Sequence, residues 1–227
     1  MNYVIDAPVP PSVEVAGSSA RFPVRRIFCV GRNYAAHARE MGNDDREPPF
    51  FFTKPADAVV ANGSSIPYPS RTANLHHEVE LVVALQAGGA NVSARDANAL
   101  IFGYAVGIDL TRRDLQSEAR DHGRPWDTSK GFDRSAPIAA LHTRKDVGLV
   151  ERGPIWLTVN GKDRQRADLS EMTWKVPEII AELSTLFELA PGDLIFTGTP
   201  AGVGALVRGD VVEAGISGLT SLSIRII

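Results

Sequence analysis

Short apolar runs broken by glycine and proline, rather than long stretches at helical spacing, dominate the chain. Ile27 to Val30 is continuously apolar, reads as a buried strand, and stops at Gly31-Arg32-Asn33. Val13 to Val15, Phe50 to Phe52, Val59 to Val60, Glu78 to Leu85 and Ala105 to Leu110 also read as strands. In the last third, Ile155 to Asn160, Val211 to Glu213 and Leu222 to Ile226 alternate apolar and polar residues, the pattern of strands with one wet face.

Helical signals are fewer. Asn33 is placed to cap a helix from Tyr34 to Met41, ended by Gly42-Asn43. Ser93 opens a short helix reaching Leu100, and Thr111 opens another over Arg112 to Asp121, closed by Gly123. Val176 to Phe187 carries apolar residues at helical spacing, with Pro177 near its start. Many short strands and few helices predict a β-rich α+β fold. No repeat or linker divides the pattern, so a single catalytic domain over 25–227 is expected, with residues 1–24 as a lead-in packed on it. The acidic, proline-rich stretch Asn43 to Pro49 is expected to be a lid.

At 227 residues the chain can bury a sizeable core. Its 44% apolar and 22% charged residues are those of a soluble globular protein. A net charge of −3 with interspersed signs argues against nucleic-acid or anionic-membrane partners. No apolar stretch approaches a membrane span, and the N-terminus lacks the basic and apolar arrangement of a signal peptide, so a cytoplasmic location is expected. The single cysteine, Cys29, lies in an apolar run and reads as a small buried residue.

The stretch His76-His77-Glu78-Val79-Glu80-Leu81 carries the strongest chemical signal. Residues two apart on a strand share a face, so Glu78 and Glu80 would lie side by side. Such a pair needs a cation, an arginine or a shared proton between its members when buried. Asp109, after the apolar run Ala105 to Ile108, would stand at the end of a neighbouring strand. Three carboxylates are hard donors that select Mg2+, Mn2+ or Ca2+ over Zn2+ or Cu2+. The same spacing fits the wet face of an edge strand. His76 and His77 point to opposite faces, so at most one could join a given site, and hydrogen bonding is their expected role.

His37 and Glu40 share a helical face, as either a carboxylate-oriented base or a surface ion pair. Lys130, beside Gly131 in a turn, is either an exposed lysine or a group that stabilises negative charge near a metal. Arg113 and Gln116 lie on one face of the helix after Asp109, fit either for a substrate carboxylate or for solvent. The glycine-rich segment Thr197 to Gly204 lacks the ending of a phosphate loop and suggests a backbone close to a ligand, with the Thr199 hydroxyl on offer.

Cys29-Val30-Gly31-Arg32-Asn33-Tyr34-Ala35-Ala36-His37, Phe52-Thr53-Lys54-Pro55, His77 to Leu81, Gly103-Tyr104 through Asp109 to Asp114, Ser129-Lys130-Gly131-Phe132, Val159-Asn160-Gly161, Gly192-Asp193, Thr197-Gly198-Thr199-Pro200 and Gly202-Val203-Gly204 occur in order. This series resembles the fumarylacetoacetate hydrolase family from about residue 25 onward, and in particular its short single-domain branch of acylpyruvases, oxaloacetate decarboxylases and fumarylpyruvate hydrolases. The resemblance implies the mixed β-roll of the fumarylacetoacetase C-terminal domain, usually in a homodimer. It implies Glu78, Glu80 and Asp109 as metal ligands, with Mg2+ expected and Mn2+ or Ca2+ as alternatives. By the same resemblance His37 and Glu40 activate water from a lid helix, and Lys130 lies beside the metal. Arg32, Arg113, Gln116 and Thr199 contact a small 2,4-dioxo acid. The implied reaction is hydrolysis of its C3–C4 bond, with fumarylpyruvate, giving fumarate and pyruvate, as the best match. The alternatives are an oxaloacetate decarboxylase and an isomerase or decarboxylase of aromatic meta-cleavage catabolism. The fourth metal-binding acid of the longer members has no counterpart here.

Overall fold

The computed structural model describes residues 3–34 and 47–227. Its strands are β1 (Ser12–Glu14), β2 (Arg21–Pro23), β3 (Arg26–Gly31), β4 (Phe50–Lys54), β5 (Val59–Ala61), β6 (Ser65–Ile66), β7 (Leu75–His77), β8 (Val79–Leu85) and β9 (Ile101–Ile108). They continue with β10 (Thr111–Arg112), β11 (Ala136–Ile138), β12 (His142–Thr143), β13 (Pro154–Val159), β14 (Lys162–Asp168), β15 (Asp193–Phe196), β16 (Gly204–Leu206), β17 (Val211–Ile216) and β18 (Leu222–Ile226). The helices are α1 (Ala94–Ala97), α2 (Arg113–Asp121), α3 (Asp127–Lys130), α4 (Arg144–Val147) and α5 (Val176–Leu186).

A mixed central sheet runs β4-β3-β15-β8-β9-β11-β5, with β12 added to β9. Its β15–β3 and β11–β5 pairs are parallel and the rest antiparallel. A second sheet, β14-β13-β17-β18-β6, and a small third one, β10-β7-β16, complete the β-rich α+β architecture.

Every residue of β8 is buried, which is why its sequence is almost unbroken Val, Leu and Ala. Leu81, Val83 and Leu85 face a core shared with Ile155, Leu157, Val212 and Ile224 of the second sheet and with Ile179, Ile180 and Leu183 of α5. The alternate residues Val82 and Ala84 face a second apolar layer with Cys29, Leu194 and Phe196. Burial and nearby Asp109 push the Cys29 thiol up, so it packs as an inert apolar group. Val13 and Phe22 of the β1–β2 hairpin cover this second layer, and Leu141 N donates to Glu14 O at 2.8 Å.

Helix signals fare unevenly. Ser93 caps α1, and a 3-10 turn carries it on to Leu100. Pro177 sits in the first turn of α5, which ends at Leu186, one residue short of the expected Phe187. Thr111, expected as a helix cap, instead pairs with His76 in the small sheet, and α2 begins at Arg113 without a side-chain cap. The reason is burial: the Thr111 hydroxyl donates to Asp109 O at 3.1 Å and accepts from Lys130 Nζ at 2.7 Å, so it is not directed at a helix end. The helix expected to Met41, and with it His37 and Glu40, lies outside the described residues, as does 43–46 of the expected lid. Among the described residues, no helix is long and apolar enough to cross a membrane.

Candidate metal centre

Only Glu78 separates β7 from β8. The first strand pairs with β10 and β16, the second with β9 and β15, so Glu78 sits where the chain passes from one sheet to another. Expected inside a strand, it lies in this break. The β8–β9 ladder reaches Val79 and Ile108, and Asp109 N then donates to Glu78 O at 2.8 Å. Glu80, two residues on, sits within the ladder opposite Gly107. Glu78, Glu80 and Asp109 are thereby 5%, 2% and 0% exposed, with ligand atoms from all three within 4.8 Å of one another. The burial rules out the wet face of an edge strand.

Lys130 ends α3 and is buried rather than exposed in a turn. Its ammonium lies 2.7 Å from each of Glu78 Oε2, Asp109 Oδ2 and Thr111 Oγ1. A second lysine, Lys54 at the end of β4, stands 2.8 Å from Asp109 Oδ1 while donating to Lys130 O and, at 3.2 Å, to Leu110 O. Arg113 donates to Glu78 Oε1 and to Gln116 Oε1.

These cations divide the carboxylates into two kinds. Burial alone pushes Glu78 up, but Lys130 and Arg113 outweigh it and hold its carboxyl well below the usual range. Glu80 accepts from Gly198 N at 2.7 Å, a neutral donor. Burial, with Asp109 and Glu78 adding, pushes its carboxyl well above the ordinary value. Burial works against the Lys130 charge, yet Asp109 and Glu78 raise its pKa, so it stays protonated.

A divalent ion fits this set on three counts. The donors are hard oxygens; Glu80 faces two like charges; and Asp109 Oδ1, though paired in charge with Lys54, receives no directed hydrogen bond. Glu78, Glu80 and Asp109 would hold the ion.

Glu78, Glu80 and Lys130 line a cavity of about 300 Å³, with Asp109 buried behind them. Arg32, Arg113, Gln116 and Thr199, all singled out in the sequence, line it. Phe50 and Phe52 make an aromatic wall with Trp126, at ring separations of 5.2 and 5.7 Å. Arg32 has a left-handed backbone, φ 58°, and its guanidinium lies 5.5 Å over the Phe50 ring.

Neither histidine joins the carboxylate cluster. His77 Nδ1 meets Gln165 Oε1 at 2.9 Å, a structural hydrogen bond as expected. His76 lines the cavity, where burial and the Arg113 guanidinium hold its imidazole down at about 4, so it is neutral at pH 7. Arg113 Nε donates to His76 Nδ1 at 3.3 Å, which leaves Nε2 to carry the proton toward Asn74 Oδ1 at 2.9 Å.

The glycine loop packs tightly against its own chain. Gly198 has φ +97°, and a Cβ there would stand 2.7 Å from Asn33 Cβ; a Cβ on Gly202, φ +93°, would collide with the Arg164 carbonyl. These two glycines are required by a close approach to the chain itself, while Thr199 of the same loop lines the cavity. Asn33, expected as a cap, spends its side chain here: Nδ2 donates to Thr197 O at 2.8 Å and Trp174 O at 2.9 Å, and Oδ1 accepts from Trp174 N at 2.7 Å.

Sequence reasoning missed Gln165, a buried residue on the otherwise polar β14. Its Oε1 accepts from Val79 N at 3.1 Å, and its Nε2 donates to Thr199 Oγ1 at 2.8 Å and Pro200 O at 2.9 Å. It ties the start of β8 to the Thr199 loop. Gln165→Ala strands these buried groups, so it is expected to lower unfolding free energy by about 2–4 kcal/mol in a urea titration. A loss below about 1 kcal/mol would show that water replaces the amide.

The fumarylacetoacetate (FAA) hydrolase C-terminal family model matches residues 26–227. Fumarylpyruvate hydrolase of Ralstonia sp is 46% identical over 180 residues, 79% of this chain and 93% of that protein. The human mitochondrial oxaloacetate tautomerase FAHD1 is 40% identical over 202 residues, 89% of this chain and 91% of that one. The crystal structure of Pseudomonas aeruginosa fumarylpyruvate hydrolase in complex with Mn2+ and pyruvate superposes with a TM-score of 0.97 at 52% identity, covering 100% of this chain and 99% of that one.

Proposed function

Because the chain belongs to the fumarylacetoacetate hydrolase family, we propose that it is a metal-dependent hydrolase cutting the C3–C4 bond of a 2,4-dioxo acid, with fumarylpyruvate as substrate and fumarate and pyruvate as products. The observation that carries this reading is the buried triad Glu78, Glu80 and Asp109 beside Lys130, with Glu78, Glu80 and Lys130 lining a cavity.

A divalent ion held by the triad, Mg2+ in our reading with Mn2+ or Ca2+ able to use the same donors, supplies Lewis acidity and orients the keto acid. Arg113 and Gln116, with Thr199 and Arg32, bind and align the substrate. His37, oriented by Glu40, takes a proton from water, and the water oxygen adds to C4. The C3–C4 bond then breaks. Its electron pair passes into the enolate of pyruvate, C4 leaves as a carboxylic acid, and C3 takes up a proton. The Lys130 ammonium faces the developing enolate oxygen. Residues 25–227 form the catalytic domain in this reading, with residues 1–24 as its packed lead-in. The family resemblance supports a homodimer, and the composition of the N-terminus supports a cytoplasmic location.

Decarboxylation or tautomerisation of oxaloacetate runs through a related enolate and needs Lys130 but no activated water, and the likeness to FAHD1 makes it the second reading. A panel of fumarylpyruvate, acetylpyruvate and oxaloacetate, followed by ultraviolet absorbance, separates the two. Fumarylpyruvate is expected to be cleaved fastest. EDTA should cut the rate on the order of 100-fold, and Mg2+ or Mn2+ should restore it. Turnover of oxaloacetate alone would replace the hydrolase with the second reading, and indifference to EDTA would remove the metal.

A further inference from the structure

We propose that Arg120 is a specificity residue that reads the distal carboxylate of a dicarboxylic acylpyruvate. The inference rests on the function proposed above and adds to it the residue that recognises the acyl group's carboxylate.

It starts from α2. Arg113, Gln116, Ser117 and Arg120 are spaced i, i+3, i+4 and i+7, which places them on one helical face, and all four line the cavity. The first of them is fixed at the carboxylate end, where it donates to Glu78. At a rise of about 1.5 Å per residue, Arg120 stands roughly 10 Å further along the axis. The Phe52, Trp126 and Phe50 rings line the same cavity, in a row that begins at Lys130, whose Nζ is 5.0 Å over Phe52.

The cavity thus has charged groups at Glu78 and Lys130, an aromatic wall, and a half-exposed guanidinium about seven residues along α2 from Arg113. An acylpyruvate whose acyl group is a short unsaturated diacid has the complementary order: an oxo-acid head, a flat conjugated middle and an anionic tail. Six carbon–carbon bonds separate its two carboxylate carbons, roughly 7 Å when extended. The arginine side chains cover the remaining distance. Arg120 is available for the tail, since its guanidinium rests at 3.2 Å on Asp121, with the two side chains 47% and 63% exposed. A pair so solvated holds the guanidinium weakly. A carboxylate in the cavity offers a planar, two-point partner instead.

The test compares two substrates that are identical up to C4, fumarylpyruvate with a distal carboxylate and acetylpyruvate without one. With Mg2+-loaded enzyme, Arg120→Gln is expected to lower the ratio of kcat/KM for fumarylpyruvate to that for acetylpyruvate by about tenfold, mainly through KM. Arg120→Lys should recover part of the ratio, because it keeps the charge and loses the fork. A folding or metal-binding defect would depress both substrates together. An unchanged ratio, or a parallel loss on both substrates, overturns the inference and leaves the proposed function standing. A wild-type enzyme that cleaves neither substrate overturns the proposed function and this inference with it.

Discussion

With Mn2+ saturating, Lys130→Met is expected to turn over fumarylpyruvate some 10²–10³-fold more slowly than the wild type, with a much smaller change in KM. The ammonium is buried and has three oxygen partners at 2.7 Å, so its position is fixed before substrate arrives. A fixed charge in a dry site stabilises a developing oxyanion without reorganising. Methionine fills a similar volume and offers no proton. The same change removes the cation that bridges Glu78 and Asp109. Without metal the variant should therefore be less stable than the wild type by about 3–5 kcal/mol, the usual cost of breaking a buried ion pair from one side. Added Mn2+ should return much of that loss, because a divalent ion supplies positive charge to the same carboxylates. Stopped assays give the rate, and urea titrations with and without Mn2+ give the stability. A turnover within tenfold of wild type would remove Lys130 from the chemistry.

Glu80→Gln is expected to separate stability from metal binding in the opposite sense. Glu80 has the Gly198 N–H as its hydrogen-bonding partner and faces two other acids. Glutamine can accept the same bond through its carbonyl oxygen and carries no charge. The metal-free variant should thus be as stable as the wild type or about 1–2 kcal/mol more so. The ion loses one of its three anionic donors, so affinity should drop by more than about 100-fold and activity with it. Thermal melts across a Mn2+ series read both effects: the wild type should gain melting temperature with added metal, and the variant should start equal or higher and gain little over the same range. Equal metal-induced gains in the two proteins would exclude Glu80 as a ligand.

The two kinds of lysine show what a sequence reveals of such a site. The acids were legible because Glu80 stands in an otherwise apolar strand and Asp109 ends another; a charge in a buried run demands a partner. Lys130 drew notice through its place in a recognisable motif, although spacing alone fits an exposed turn equally well. Lys54 stands in a quoted motif with no role attached, because its partners Asp109 and Leu110 are brought beside it only by the sheet topology. Thr111 reads equally well as a cap in the sequence, because the same residue type suits a helix start and a buried hydroxyl relay.

The fold divides in the same way. β3 and β8 were readable as nearly continuous apolar runs, since both faces are covered. β14, Lys-Asp-Arg-Gln-Arg-Ala-Asp, carries no apolar alternation, because Gln165 is its one fully buried residue. β7, β10 and β16 have three residues or fewer, too short for any period to show, yet they build the sheet that positions Glu78. His37 and Glu40 fall outside the described residues, so their roles rest on the family resemblance and their helical spacing.

The one-residue interruption at Glu78 makes the ion site a joint between separately hydrogen-bonded parts of the molecule. Glu80 and Asp109 come from the central sheet, but the third carboxylate and Lys130 arrive only when the small sheet and α3 dock against it. A chain that has formed its long ladders without that docking presents an incomplete ligand set. Tight cation binding thus belongs to the finished tertiary structure alone, and the ion acts as a rivet holding the assembled halves together.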